Sequence, residues 1–165
     1  MNLLQTVAER NNYQPDIFLN LQPMRNYWLF SFFIPIILST KVSAQNAVLD
    51  AKYQTIAYIS TDGKIQDAGF AILGYFKEDG MIRSVDFFPV GYIYEHQGFR
   101  GADFSVKGYI QSDGSIEDAD HVLIGYVQKD GTIQDASFTV IGSAKNIPPE
   151  QAAAIFFFDY FKIER

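Results

Sequence analysis

Carboxylates are the first residues here with chemistry to offer. Asp62 and Asp67, Asp113 and Asp118, and Asp130 and Asp135 recur five residues apart. Paired carboxylates can ligate calcium or share acid and base work. Neither chemistry finds the rest of its set. No D-x-D-x-D-G loop is present, and Asp62, Asp113 and Asp130 each precede a glycine, as a tight turn demands. The second aspartate of each pair opens a polar bend before alanine. The pattern is turn chemistry rather than metal chemistry. Histidine offers only His96 and His121, and cysteine is absent, so a zinc site built from those ligands alone cannot form. No GxSxG elbow, HExxH pair or phosphate loop occurs. The chain is therefore read as a non-enzyme without a cofactor or a metal site. One cluster stands out. Tyr94, His96 and Arg100 gather within seven residues, the one basic and aromatic grouping downstream of residue 44. They form a candidate binding surface. His121 falls in a recurring aromatic column and is expected to be a buried or half-buried stand-in for phenylalanine.

The totals set the limits. A chain of 165 residues suggests one domain, and 48% hydrophobic with 16% aromatic residues supports a real core. The net charge of −6 argues against nucleic acid, whose phosphates need basic partners, and fits anionic membranes poorly.

Residues 24–44, MRNYWLFSFFIPIILSTKVSA, look like a secretory signal. Arg25 supplies the charge. Tyr27 to Leu38 supplies a twelve-residue apolar run, too short for a span of roughly 20 residues. Val42-Ser43-Ala44 puts small residues before a cut at Gln45. The signal does not begin at residue 1, so residues 1–23 are read as a non-native upstream extension, with translation starting at Met24. The mature chain, 45–165, would be exported, periplasmic or extracellular, with no stable membrane span. It carries 10 Lys+Arg and 17 Asp+Glu, a net of −7.

Positioning falls to a 17-residue unit written five times: Ala57–Leu73, Gly74–Val90, Gly91–Lys107, Gly108–Ile124 and Gly125–Ile141. Position 1 is Gly in four units and Ala57 in the first. Position 2 is always Tyr: Tyr58, Tyr75, Tyr92, Tyr109 and Tyr126. Positions 6 and 7 are Asp-Gly in four units, and position 14 is aromatic in four, with His121 in the other. Glycines this close leave no room for a helix, so the unit is β. A two-residue turn would oppose apolar position 3 to polar position 10. A three-residue turn ending in a left-handed glycine pairs position 3 with position 9, apolar with apolar. The bulged turn is expected, with a long strand from position 14 to position 4, apolar on both faces at its middle. In the third unit His96-Gln97 replace Asp-Gly and Gly98 comes one place late, which predicts a turn one residue longer. Half-units at Tyr53–Ile56 and from Gly142 onward could meet and close a ring.

Ile147-Pro148-Pro149-Glu150 begins something different. Proline and an acid suit a helix start, and QAAAIFFFDYFK lacks Gly and Pro, so a helix is predicted over 149–162. It is apolar nearly all round and must be buried, the seat being the hub of the ring.

The five GY-x-DG-x-I-x-DA units and the AAAIFFFDYF tail, from Tyr53 to Phe161, resemble the five-fold β-flower repeat proteins. The resemblance implies a mainly β fold, a ring of five 17-residue hairpin petals with pseudo-five-fold symmetry and a C-terminal helix packed on the hub. It implies an exported bacterial protein and carries no activity and no functional residues. Two function classes follow: an exported interaction or structural module, or a small-ligand binder, with carbohydrate as the named ligand. The partner is an unknown protein or small ligand, with the chain a monomer or weak homo-oligomer.

Overall fold

An Asp-Gly pair can close a hairpin in more than one way, and the computed structural model shows which one forms. The Gly63 N–H donates to the Ser60 carbonyl at 2.8 Å, and Gly63 takes φ +80°. Gly80, Gly114 and Gly131 repeat this at +80°, +90° and +84°. This is the three-residue bulged turn. It pairs Ile59 with Ile65, Phe76 with Ile82, Ile110 with Ile116 and Val127 with Ile133, as the side chains demanded. The third unit keeps the same register, with Ile93 opposite Phe99 and Tyr94 opposite Gly98. Ile93 and Phe99 enclose five residues, as Ile59 and Ile65 do, so the turn is not longer. Gly98 belongs to the return strand.

The structure describes residues 44–94 and 98–163, all within one unit, Lys41–Arg165. The extension at 1–23, the signal at 24–44 (Ala44 apart) and His96 lie outside the described residues. The described strands are β1 (Gln45–Asp50), β2 (Thr55–Ser60), β3 (Lys64–Asp67), β4 (Ile72–Phe76), β5 (Met81–Ser84) and β6 (Pro89–Tyr94). They continue with β7 (Gly98–Gly101), β8 (Val106–Ile110), β9 (Ser115–Asp118), β10 (Leu123–Val127), β11 (Thr132–Asp135) and β12 (Val140–Ser143). Every neighbouring pair is antiparallel, and β12 returns to β1, closing a barrel. The repeats alone make five hairpins. A sixth is assembled from the two ends of the domain, β12 outgoing and β1 returning.

Register shows that this sixth hairpin is equivalent to the others. Gly142 faces Asp50 as Ala57 faces Asp67 and Gly125 faces Asp135. Val48 faces Ala57 as Ile65 faces Gly74. The expected five-petal ring is thus replaced by six hairpins. Five units leave an open edge on each side, and the edge is removed by β1, which precedes the Tyr53–Ile56 half-unit and pairs with β12 in its place.

Between hairpins the ladder slips at one place each time, skipping position 17, such as Leu73 between Ile72 and Gly74. This bulge breaks the alternation. Positions 1, 3 and 9 then face inward, while Ile72, Leu123 and Val140 at position 16 are exposed. The expectation of an apolar strand covered on both faces fails for this reason.

Six fully buried side chains, Val48, Ile65, Ile82, Phe99, Ile116 and Ile133, come from the equivalent position 9 of all six hairpins. A twelve-stranded barrel is too wide for strand side chains to fill. The remaining space goes to α1 (Pro149–Phe156), whose Ala152, Ala153 and Ala154 are fully buried in the same core. Alanine gives a helix slim enough to be enclosed.

The helix ends at Phe156, not at Lys162 as expected. Beyond it the tail runs round the barrel, one ring per hairpin. A Cβ built on Gly108 would stand 2.6 Å from Phe158 Cε1, and one on Gly74 would stand 2.6 Å from Phe161 Cε1. Gly142, Gly125 and Gly91 meet Phe156, Phe157 and Tyr160 in the same way. The position-1 glycines therefore make room both for an aromatic ring and for the backbone carbonyl of the strand opposite, and a tail serving successive hairpins cannot stay helical. The five rings occupy five hairpins, and the sixth hairpin is the one that carries Ala57.

Candidate binding surface

The outer wall is built from positions 2, 10 and 14. Position 14 is not a strand residue. In the first unit the Phe70 N–H donates to the Asp67 carbonyl at 3.0 Å, and the Asp67 carboxylate accepts the Ala71 N–H at 2.9 Å. This turn forces Phe70 into the left-handed region at φ +67°. The turn recurs at each of the six hairpins, placing Tyr53, Phe70, Phe87, Phe104, His121 and Phe138 at φ between +60° and +67°. All six are exposed. Together they form a crown at one rim of the barrel.

Stacking holds five of these residues in place. Phe70 lies 4.9 Å from Tyr58, Phe87 4.9 Å from Tyr75, Phe104 4.8 Å from Tyr92, His121 4.5 Å from Tyr109 and Phe138 4.9 Å from Tyr126, all near-parallel. Position 10 pins the backbone beneath. Gln66 Nε2 donates to the Phe70 carbonyl at 2.7 Å, and Arg100 Nη1 to the Phe104 carbonyl at 3.0 Å. In the fourth unit the partners differ: Glu117 Oε2 lies 3.0 Å from His121 Nδ1. His121 keeps the aromatic column but is exposed, because position 14 is a rim position and not a core one.

The turn aspartates are engaged by their own loops. Asp113 accepts the Ser115 N–H at 2.9 Å and the Ser115 hydroxyl at 2.7 Å, which holds its carboxyl below the usual range. Asp130 is lowered chiefly by the Thr132 N–H, and Asp62 chiefly by the Ser60 hydroxyl. Among the described residues no three His, Asp or Glu side chains gather as metal ligands.

Of the candidate trio, Arg100 and Tyr94 are brought together. The guanidinium carbon lies 5.5 Å from the centre of the Tyr94 ring. A groove of about 460 Å³ opens beside them, lined by Tyr94, Gly98, Arg100, Phe104 and Tyr109. The tail reaches this unit from within, where the Tyr160 hydroxyl donates to the Arg100 carbonyl at 2.9 Å. Burial pushes that phenol well above its ordinary range. Phe104, Tyr109 and the crown escaped the sequence reading. Their signal was present, since Tyr at position 2 and an aromatic at position 14 recur together.

Among the described residues no helix is long and apolar enough to cross a membrane. No protein-family model, curated protein or solved structure matches the chain.

Proposed function

We propose that this protein is an exported, non-catalytic binding module that holds a saccharide chain on its crown of aromatic residues. One observation carries the reading. At every hairpin a bulky side chain occupies a backbone conformation that glycine or asparagine would take with less strain. Left-handed backbone costs an ordinary residue roughly 1–2 kcal/mol. An aromatic stack returns about 0.5–1.5 kcal/mol. Stability alone therefore gives little reason to keep six such residues, and strain retained at repeated exposed positions points to use. Flat rings beside amide and guanidinium donors suit sugars, which offer C–H faces and hydroxyls. A repeating surface also suits a repeating ligand, because linked contacts multiply affinity. Kinship with the β-flower repeat proteins belongs to this proposal, with six hairpins here in place of the five of the five-fold type, and agrees with export.

Phe70→Asn, Phe87→Asn and Phe138→Asn, singly and combined, test it on glycan arrays and by calorimetry. Each substitution is expected to weaken binding about 2–10-fold, with the melting temperature unchanged or raised. Unchanged saccharide binding in the triple variant would refute the reading. A second reading, self-association through the rim, rests on Phe88 and Val122, which are 70% and 57% exposed beside the crown. It predicts concentration-dependent sedimentation that Phe88→Ser abolishes.

A further inference from the structure

The third hairpin departs from its sisters on the outer wall, and its differences converge on one place. Position 8 is Lys64, Met81, Ser115 or Thr132 in the other repeats but Gly98 here. No steric reason explains this glycine. A Cβ added to it would meet nothing within 4 Å, and its φ is not left-handed. Glycine inside a strand weakens it, so the missing side chain is a cost without a packing return. Its effect is to leave open the groove between β7 and β8. Position 4, polar or charged in the other repeats, is Tyr94 here, and it brackets Arg100. Tyr109 stands across the groove from β8, directly opposite Gly98 in the ladder.

We infer that this groove is a dedicated subsite for an acidic sugar, a saccharide ring bearing a carboxylate. The inference rests on the saccharide reading above and adds the ligand's charge and the place where it binds. Arg100 is the one charged side chain among the five residues lining the groove. The Phe104 carbonyl takes one of its N–H donors at 3.0 Å and fixes the guanidinium against the rim. A guanidinium carries five donors in a planar fork, which matches a carboxylate in two-point contact. Phe104 and Tyr94 are 52% and 45% exposed and offer ring faces to the apolar side of a sugar. Nearby Glu117, which would repel an anion, is engaged by His121 at 3.0 Å and by Gln111 Nε2 at 3.2 Å. The other hairpins lack this set. Arg83, the equivalent of Arg100 in the second repeat, turns its Nε to the Met81 sulfur at 3.1 Å and has Lys77 at position 4.

The test uses the full chain with oligogalacturonate and a neutral oligogalactan at pH 7, read by calorimetry. Wild type is expected to prefer the acidic oligomer. Gly98→Val projects into the groove from a Cβ that meets nothing within 4 Å, so it should keep the melting temperature and lose roughly tenfold or more in acidic-sugar affinity. Arg100→Gln should remove the acidic preference and spare neutral binding, because charge-assisted bonds are about twice as strong as neutral ones. Equal binding of both oligomers by wild type, or full acidic binding by Gly98→Val, overturns the subsite and leaves the crown standing. Failure of wild type to bind either oligomer, together with an empty glycan array, overturns both.

Discussion

The contact between Gly108 and Phe158 permits a quantitative test of the tail's role. Gly108→Ala adds one methyl facing inward. It would stand 2.2 Å from the Glu117 carbonyl oxygen and 2.6 Å from Phe158 Cε1. Carbon atoms pack at about 3.5–4.0 Å, so neighbours must give by roughly 1 Å. Phe158 has little freedom, being buried and stacked 4.3 Å from Phe99. Overpacking of this kind costs about 1–3 kcal/mol. Loss of glycine freedom in the unfolded chain returns about 0.4–1 kcal/mol. The net expectation is destabilisation by about 1–2 kcal/mol, which is roughly 3–10 °C in Tm for a unit of this size. Thermal and urea unfolding followed by circular dichroism will read it. Phe158→Leu costs stability alone, but combined with Gly108→Ala it should cost less than the sum, with a coupling of about 0.5–2 kcal/mol. Ala57 is the internal control, since it occupies the same position in the hairpin that the five tail rings leave to others. Additive losses, or a Gly108→Ala variant as stable as wild type, would refute the assignment of one ring to each glycine.

Three further outcomes follow from the same structure. Deleting residues 157–165 removes Phe157, Phe158, Tyr160 and Phe161, whose combined burial rivals the whole net stability of a domain, about 5–15 kcal/mol. Size exclusion should find aggregate or unfolded chain, and a folded monomer would contradict the plugged barrel. Asp113 and Asp130 have carboxyls lowered by folding. Their contribution is therefore complete above the unfolded value near 3.9 and fades as pH falls through the lower folded value. Urea midpoints should drop below about pH 4, and Asp113→Asn with Asp130→Asn should flatten that drop; an equally steep drop would count against the turn bonds. Gly98→Ala should leave the Tm unchanged or slightly raised, because it removes strand glycine without a clash; a loss above about 1 kcal/mol would show a contact not accounted for.

Legibility in the sequence followed the range of the forces involved. The hairpin register was readable because pairing position 3 with position 9 depends on a few residues around one turn. Gly63, Gly80, Gly114 and Gly131 declared their left-handed role for the same reason. The crown was hidden by a conflict between levels. An aromatic in an apolar run looks like strand, and a bulky residue is disfavoured at positive φ. Only the stack on Tyr at position 2 and the hydrogen bonds of the Asp turn reverse that preference. His121 was misjudged with it, since a rim position exposes whatever it holds. The Tyr94 and Arg100 cluster was visible in sequence. In sequence Gly98 reads as a turn residue, because its meaning lies in the space beside it and not in its own backbone.

The chain by itself determined the hairpin, its turn, the pairing of position 3 with position 9 and the need for a buried aromatic tail. Those follow from side-chain alternation and glycine spacing, which act over fewer than twenty residues. The number of hairpins, the choice of β1 as the strand that closes onto β12 and the end of α1 at Phe156 were decided only in three dimensions. Strand tilt and ring closure fix how many hairpins complete a circle, and that geometry forces a tail with one ring for each glycine to leave the helix and follow the wall.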